Sequence, residues 1–274
     1  MKTSFSRSLE NNNMNINRII GVLKQEYFVT IRSTEVLADI FFFPLMNMGL
    51  FGFLSLYLSR DNTSTGQYVI MGILLWQMLA IIQYSISVGS LWNVWSRNLS
   101  NMFIAPLKLQ EYILAHTISG ITKALIVFGM GSVISLYAFH FNVLHIGLAP
   151  LVLTLLNLAL FAFSLGIVIL GLIFRFGTRI QSLSWAVIYV FQPLSATFYP
   201  LNVLPPFLQI IAKLFPTTYA FEAARYALEF HVVNWPLFGI AFVENIFYVF
   251  FAVWFFARMF NVSRNTGQFA RNEA

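Results

Sequence analysis

The sequence contains no cysteine and few charged residues. Without cysteine, disulfides, thiolate metal sites and cysteine nucleophiles are excluded. Charged residues make up 9% of the 274 residues, whereas a soluble domain usually carries about 25%. So few charges cannot cover a water-facing surface, and the chain is predicted to be a membrane protein.

Sequence features of enzymes are also missing. A Walker A loop needs a lysine directly after a glycine, and none of the five lysines follows one. The four histidines lack the spacing of metal ligands, and no Gly-x-Ser-x-Gly motif occurs. The basic residues lie between apolar runs, so nucleic acid is not a predicted partner. We predict no cofactor or metal in this chain; an intramembrane enzyme is an alternative that the residues do not favour.

Apolar residues, by contrast, fall into runs about as long as a helix needs to cross ~30 Å of hydrocarbon. We predict an all-α membrane protein whose single domain covers residues 1–274, with a six-span bundle at 37–260 and mobile polar tails at 1–15 and 261–274. The predicted spans are residues 37–58, 67–92, 112–138, 146–174, 181–199 and 235–257.

Two other segments have helical periodicity but are not predicted to span. In residues 16–33, apolar side chains recur at helical spacing and charged ones occupy other faces, which predicts an amphipathic helix at the membrane interface. A juxtamembrane linker is the alternative. Prolines interrupt residues 200–230, which predicts two short, half-buried outer helices at 204–215 and 218–230, the second capped by Thr217 or Thr218.

The distribution of lysine and arginine predicts the orientation. Twelve of the sixteen Lys and Arg residues lie in the tails and in the segments that share their side when six spans are assumed. Because cytoplasmic segments carry the excess of positive residues, both termini are predicted to lie in the cytoplasm. We expect a multi-pass protein of the inner, cytoplasmic membrane, surrounded by lipid.

A motif follows the fifth predicted span. It reads Pro-Leu-Ser-Ala-Thr-Phe-Tyr-Pro from Pro193, continues with a Leu-Pro turn at Pro205, and ends with Pro-x-x-Tyr-x-x-Glu-x-x-Arg from Pro216. It resembles the signature of the type-2 ABC exporter permeases, in which glycine is common where Ala196 stands. The matching residues are Pro193, Phe198, Tyr199, Pro200, Pro205, Pro216, Tyr219, Glu222 and Arg225.

The resemblance implies a permease that dimerises with a second copy and binds two ATPase subunits, which hold the ATP and magnesium. It further implies that the loop between spans 2 and 3, at residues 93–110, forms a coupling helix on the ATPase; a plain polar loop is the alternative. The coupling residues would be Arg97, Asn98, Ser100, Asn101, Met102, Phe103, Pro106 and Lys108. The two outer helices would be re-entrant and close the exit, with Glu222 and Arg225 either touching cargo or pairing with each other.

Polar residues inside the predicted spans are informative because each charge in hydrocarbon costs at least ~2.5 kcal/mol. They are Asp39, His116, Ser119, Lys123 and Glu244. The stripe of His116, Ser119 and Lys123 either faces a water-accessible path, pairs with Glu244 or Asp39, or forms an ion pair that only holds helices together.

The predicted function is therefore the membrane-spanning permease of an ATP-driven ABC exporter. It would form the path for an amphipathic or hydrophobic cargo such as a drug, a lipid or a lipid-linked glycan. The alternative is a channel or secondary transporter without an ATPase, although such proteins often have broken helices in both halves and this chain has them only before the last span.

Overall fold

A computed structural model describes residues 14–60, 62–96 and 107–266, apart from the side chains of residues 90, 94 and 178. Within these ranges the regular structure is helical throughout, as the composition predicts. The tails at 1–13 and 267–274 lie outside the described residues. The helices are α1 Ile16–Arg32, α2 Thr34–Leu58, α3 Thr63–Trp95, α4 Leu109–Phe139, α5 Leu148–Phe176, α6 Gln181–Leu194, α7 Pro206–Ala212, α8 Pro216–Phe230 and α9 Trp235–Asn265.

Five of these helices, α2, α3, α4, α5 and α9, are long and apolar enough to cross a membrane. They correspond to predicted spans 1 to 4 and 6, and α9 continues to Asn265, beyond the predicted bundle end at 260. The chain is thus a multi-pass helical membrane protein. The predicted fifth span differs, because α6 has 14 residues and ends at Leu194 rather than at residue 199.

The amphipathic segment forms α1, which Asn15 caps by accepting a hydrogen bond from the Asn17 amide. Its buried face carries Ile19, Val22, Glu26 and Thr30, and this face packs against α4. The opposite face exposes large apolar side chains, including Tyr27 and Phe28. Such a helix has the character of an interfacial one.

Helix α3 is the central element, with 83% of its most apolar stretch buried. Glycines let its neighbours approach closely. A Cβ atom on Gly120 of α4 would lie 3.0 Å from the Ser85 Cβ, and one on Gly166 of α5 would lie 2.9 Å from the Ile86 Cβ. Because lipid tails are as apolar as leucine, such close van der Waals contact is a main source of helix association in membranes.

Helices α5 and α9 form a second close pair. The Asn245 side-chain amide donates to the Asn157 side-chain oxygen at 3.0 Å, and the Ser263 hydroxyl donates to the Phe174 carbonyl at 2.5 Å. Hydrogen bonds between spanning helices are worth roughly 0.6 to 2 kcal/mol each. They hold α9 against the bundle.

The two short helices predicted at 204–215 and 218–230 are present as α7 and α8, but the predicted cap of α8 is wrong. Pro216 occupies the first helical position, which suits a residue without an amide hydrogen, and Phe215 precedes it as the cap. The Thr218 hydroxyl donates instead to the Ala212 carbonyl at 2.7 Å, and Thr217 shares a 2.7 Å hydrogen bond with Ser195. The threonines therefore join α8 to the segments before it.

Candidate functional site

A cavity of about 280 Å³ lies between α2, α3 and α6. Polar and aromatic side chains from all three helices line it, including Asp39, Asn47, Gln77, Tyr84, Trp185 and Tyr189. Phe43 and Tyr189 at its edge are exposed, so the cavity is open on one side of the chain. Of the five polar residues predicted inside the spans, Asp39 is the one that lines it.

The backbone around Asp39 is irregular for a reason visible in the sequence. Residues Ala38–Phe42 form a π-helical turn, in which the Phe43 amide donates to the Ala38 carbonyl five residues back. Pro44 follows directly. A proline in a helix interior has no amide hydrogen to donate, and its ring clashes with the carbonyl group four residues before it. The wider turn accommodates Pro44, and π-helical turns of this kind occur frequently at functional sites.

The Asp39 carboxylate meets α3 through the Tyr84 hydroxyl, which donates a hydrogen bond to it. An aromatic row then extends from Tyr84 along the wall. The Tyr84 and Trp185 ring centroids are 6.4 Å apart, and Trp185 stacks on Trp95 at 6.5 Å with an interplanar angle of 16°. Trp92 meets Trp95 edge-on at 5.1 Å. The row connects the cavity to the end of α3 that precedes the 93–110 loop.

Gln83 fixes α6 against α3 beside the cavity. Its side-chain amide donates to the Ser184 carbonyl at 3.2 Å and to the Ser87 hydroxyl at 2.9 Å. The side chain is 1% exposed, and an amide buried without partners would cost free energy. The Gln83 side chain therefore joins α3 to α6 by a hydrogen bond.

A second polar cluster joins α1 to α4. Lys123 Nζ lies 3.1 Å from Glu26 Oε2, and His116 Nδ1 lies 3.6 Å from Glu26 Oε1. Burial raises the pKa of Glu26, but the charges of His116 and Lys123 outweigh it, so the pKa lies below its ordinary value of 4.5. Ser119, from the same stripe, contributes a further hydrogen bond that lowers it.

This cluster corrects the predicted partners of Lys123, which pairs with neither Glu244 nor Asp39. Sequence reasoning missed Glu26 because it was assigned to a charged face of α1. A signal was present, since Glu26 continues the helical spacing of Ile19 and Val22 on the buried face. Glu244 lies apart, half-buried in α9, and lines no part of the cavity.

The ends of the predicted coupling loop are tied to α1. The Glu111 carboxylate accepts from the Lys108 amide at 2.9 Å and the Asn15 amide at 2.8 Å, and Arg18 Nη1 lies 3.7 Å from it. On the other side of the loop, Gln25 donates to Asn93 at 2.7 Å. Lys108 is thus placed beside α1, while the other predicted coupling residues lie outside the described part of the chain: Arg97, Asn98, Ser100, Asn101, Met102, Phe103 and Pro106.

The motif residues converge at the end of the bundle that carries α7 and α8, where Arg225 holds the turn after α6. Its guanidinium donates to the Ala196 carbonyl at 2.8 Å and to Glu222 Oε1 at 2.8 Å. Glu222 Oε1 also accepts from the Leu201 amide at 2.7 Å. We call residues 195–201 with Glu222 and Arg225 the outer clasp. Glu222 and Arg225 are paired with each other, as one of the two predicted roles requires.

The remaining motif residues support the outer clasp. The Tyr199 hydroxyl donates to the Pro193 carbonyl at 2.7 Å, and the Tyr219 hydroxyl donates to the Lys213 carbonyl at 3.1 Å. Phe198 stacks on Phe51 of α2 at 4.5 Å. Pro200 precedes the short 3₁₀ turn Leu201–Val203, and Pro205 is the residue before α7.

The backbone of the clasp explains the motif's preference for glycine. Ala196 has a φ of 50°, in the left-handed region that glycine adopts at little steric cost. Gly72 of α3 lies directly beneath the clasp, and a Cβ there would lie 2.4 Å from the Thr197 carbonyl oxygen. The clasp thus sits directly on the backbone of α3.

The comparisons with known proteins agree with the motif. A search of the curated proteins finds no significant match. The profile of the family described as ABC-2 type transporter matches residues 18–229, from α1 to the end of α8. Membrane domains of this family are transport subunits, and the family implies an associated ABC ATPase. Because the match covers most of the chain, this protein belongs to the ABC-2 type transporter family and is a permease component of an ABC transporter.

Proposed function

We propose that this permease exports an amphipathic or hydrophobic molecule across the inner membrane, as a homodimer driven by a separate ATPase. The ATPase would hold ATP and magnesium, because no lysine of this chain follows a glycine. Both termini would lie in the cytoplasm, and α6 would be the fifth of six crossings. The cavity between α2, α3 and α6 would form part of the path.

The continuity of α3 is the observation that carries this proposal. Gln77 and Tyr84 of α3 line the cavity, and the same helix ends at Trp95, beside the 93–110 loop. Since an α-helix is stiff over this distance, a displacement at the loop would move the cavity wall. The bonds of Glu111 and Asn93 to α1 would make that helix move with it.

ATP can drive such a change only if the ATPase binds two permease conformations with different affinity. Its docking surface would be the loop, where Met102 and Phe103 offer an apolar ridge. The outer clasp would close the path at the other end. A rearrangement of α2, α3 and α6 would then expose the cavity to the outer side.

The test uses the permease co-expressed with an ABC ATPase from the same genome. We expect the two chains to co-purify and the complex in proteoliposomes to turn over ATP, whereas the permease alone does not. Replacing Met102 and Phe103 with aspartate should abolish co-purification. The matched control replaces exposed Val203 and Phe207 of the outer segment with aspartate and should leave assembly unchanged. ATP turnover by the permease alone, or gradient-driven flux without the ATPase, would contradict the proposal.

A further inference from the structure

We infer that the cavity between α2, α3 and α6 binds amphipathic organic cations, with the Asp39 carboxylate as the counter-charge and the Tyr84 and Trp185 rings as the apolar wall. The inference rests on the proposed function in one respect, since it takes the cavity as part of the path. It adds the chemical class of the cargo. The site itself is defined by the described residues of this chain alone.

The charge of the cavity points to a cation. Among the described residues that line it, Asp39 is the charged one and none is basic. The ion pairs found in the described part of the chain join other residues: Glu26 with Lys123, Glu111 with Arg18, and Glu222 with Arg225. The Tyr84 hydroxyl gives Asp39 a neutral hydrogen bond. The Asp39 carboxylate therefore has no basic partner among the described residues, and a cation that enters the cavity would supply the opposite charge.

A basic side chain that borders a neighbouring cavity, Lys123, is already engaged. Lys123 borders a smaller cavity with Ile40 and Tyr84, but its ammonium lies 3.1 Å from Glu26. Helix α1 thus supplies the partner that keeps Lys123 away from Asp39. Because Lys123 pairs with Glu26, the Asp39 carboxylate is left available to a ligand.

The walls fit an amphipathic cation as well. Phe43, Tyr84, Trp185 and Tyr189 surround the space, and aromatic faces attract cations lying within about 6 Å of a ring centroid. Trp95, stacked on Trp185, continues these faces toward the end of α3. The volume of about 280 Å³ is near the lower end of small-molecule sites, roughly 300 Å³. It suits one organic ion better than a polymer or a two-chain lipid.

Two other cargo chemistries are less compatible with these residues. A phosphate-bearing lipid would bring a second negative charge to Asp39, and none of the described residues that line the cavity is basic and could bind it. A neutral glycan could stack on the rings and bond Asn47 and Gln77, but it would leave the carboxylate without a counter-charge. The glycan is therefore the rival that the experiment must separate.

The experiment compares two ions of the same shape and opposite charge. Tetraphenylphosphonium and tetraphenylborate are titrated onto the full-length permease in lipid nanodiscs, with binding to empty nanodiscs subtracted. We expect saturable binding of the phosphonium and at least about tenfold weaker binding of the borate. Comparable binding of both ions would overturn the inference.

Variants then test the residues. Asp39→Asn keeps an oxygen for the Tyr84 hydroxyl and should weaken phosphonium binding about tenfold. Glu35→Gln is the matched control, since it removes the same charge from an exposed position one turn earlier in α2, and should bind like the wild type. Trp185→Leu keeps the charge, removes a ring and should weaken binding about threefold, which tests the wall should Asp39→Asn misfold.

Displacement of the phosphonium by maltoheptaose, equally in the wild type and in Asp39→Asn, would assign the cavity to a neutral glycan and overturn the inference. Binding is measured without the ATPase, so it is separate from the proposed function. If the complex couples ATP hydrolysis to transport but the permease binds both ions equally, the cation inference is wrong and the export proposal stands. If the permease binds phosphonium selectively but recruits no ATPase, the export proposal is wrong and the cation inference stands.

Discussion

The left-handed backbone of Ala196 carries a steric cost in the middle of the outer clasp. For residues with a Cβ, this conformation costs roughly 1–2 kcal/mol. Glycine avoids this cost, but part of the gain is offset because glycine has more conformational entropy in the unfolded chain. Ala196→Gly should therefore stabilise the protein by about 0.5–1 kcal/mol, measured as a higher midpoint of thermal unfolding in detergent.

The same substitution within a helix is the control. Ala224 lies in the interior of α8, fully buried, and Ala224→Gly should cost about 1 kcal/mol. A gain of stability in Ala196→Gly together with a loss in Ala224→Gly would support the role of the backbone angle φ at residue 196. A loss of stability in both variants would contradict it.

Glu26 is the residue on which the contact between α1 and α4 depends most. Glu26→Gln leaves Lys123 with a half-buried charge and no carboxylate, and breaking a buried pair in this way costs about 3 kcal/mol. The double variant Glu26→Gln, Lys123→Met should recover most of the loss. Lys24→Gln, at an exposed position of the same helix, should change little.

This contribution depends on pH in a defined direction. Because the folded-state pKa of Glu26 lies below 4.5, the stabilisation is present above pH 4.5 and is lost as the pH falls through the lowered value. The midpoint of thermal unfolding should fall over that range in the wild type and fall less in Glu26→Gln. An equal fall in both proteins would show that other groups are responsible.

Helix α3 and the outer clasp meet at a single small residue. A Cβ on Gly72 would lie 2.4 Å from the Thr197 carbonyl oxygen, so Gly72→Ala must displace backbone and should cost about 1–3 kcal/mol. Gly49→Ala in α2 is the control, because nothing lies within 4 Å of its Cβ position. It should be neutral or stabilise by up to about 1 kcal/mol, since alanine favours helix.

The elements differ in how well the sequence predicts them. The long apolar runs of α2, α3, α4, α5 and α9 are predicted within a few residues, because length and composition suffice for a spanning helix. Helix α6 is different, since Phe198 and Tyr199 continue its apolar character into the turn of the outer clasp. The cap of α8 was missed because Thr217 and Thr218 bond to residues outside their own helix.

The site was predicted less well than the helices. Asp39 and Lys123 stand out as charges inside apolar runs, but their partners are set by tertiary packing. Lys123 meets Glu26, which is 97 positions away in the chain, and Asp39 meets Tyr84, which is 45 away. A single sequence contains no signal for such pairs beyond the helical spacing of each residue.

For the molecule as a whole, the natural absence of cysteine allows a direct test of topology. Single cysteines introduced at Arg179 and Asn202 flank α6 and its turn, and a membrane-impermeant maleimide should label the first from the cytoplasm and the second from outside. Labelling of both from one side would show that α6 does not cross. A cysteine at Arg60, between α2 and α3, would lie on the outer side in the proposed orientation and should be labelled from the same side as Asn202.

The outer clasp and the cavity draw on almost separate sets of side chains. Arg225 and Glu222 hold backbone groups of residues 196 and 201, whereas the cavity is lined from α2, α3 and α6. Substitutions around Asp39 and Trp185 can therefore accumulate without loosening the outer clasp. A directed-evolution library restricted to the cavity wall should yield altered substrate profiles in proteins that remain stably assembled.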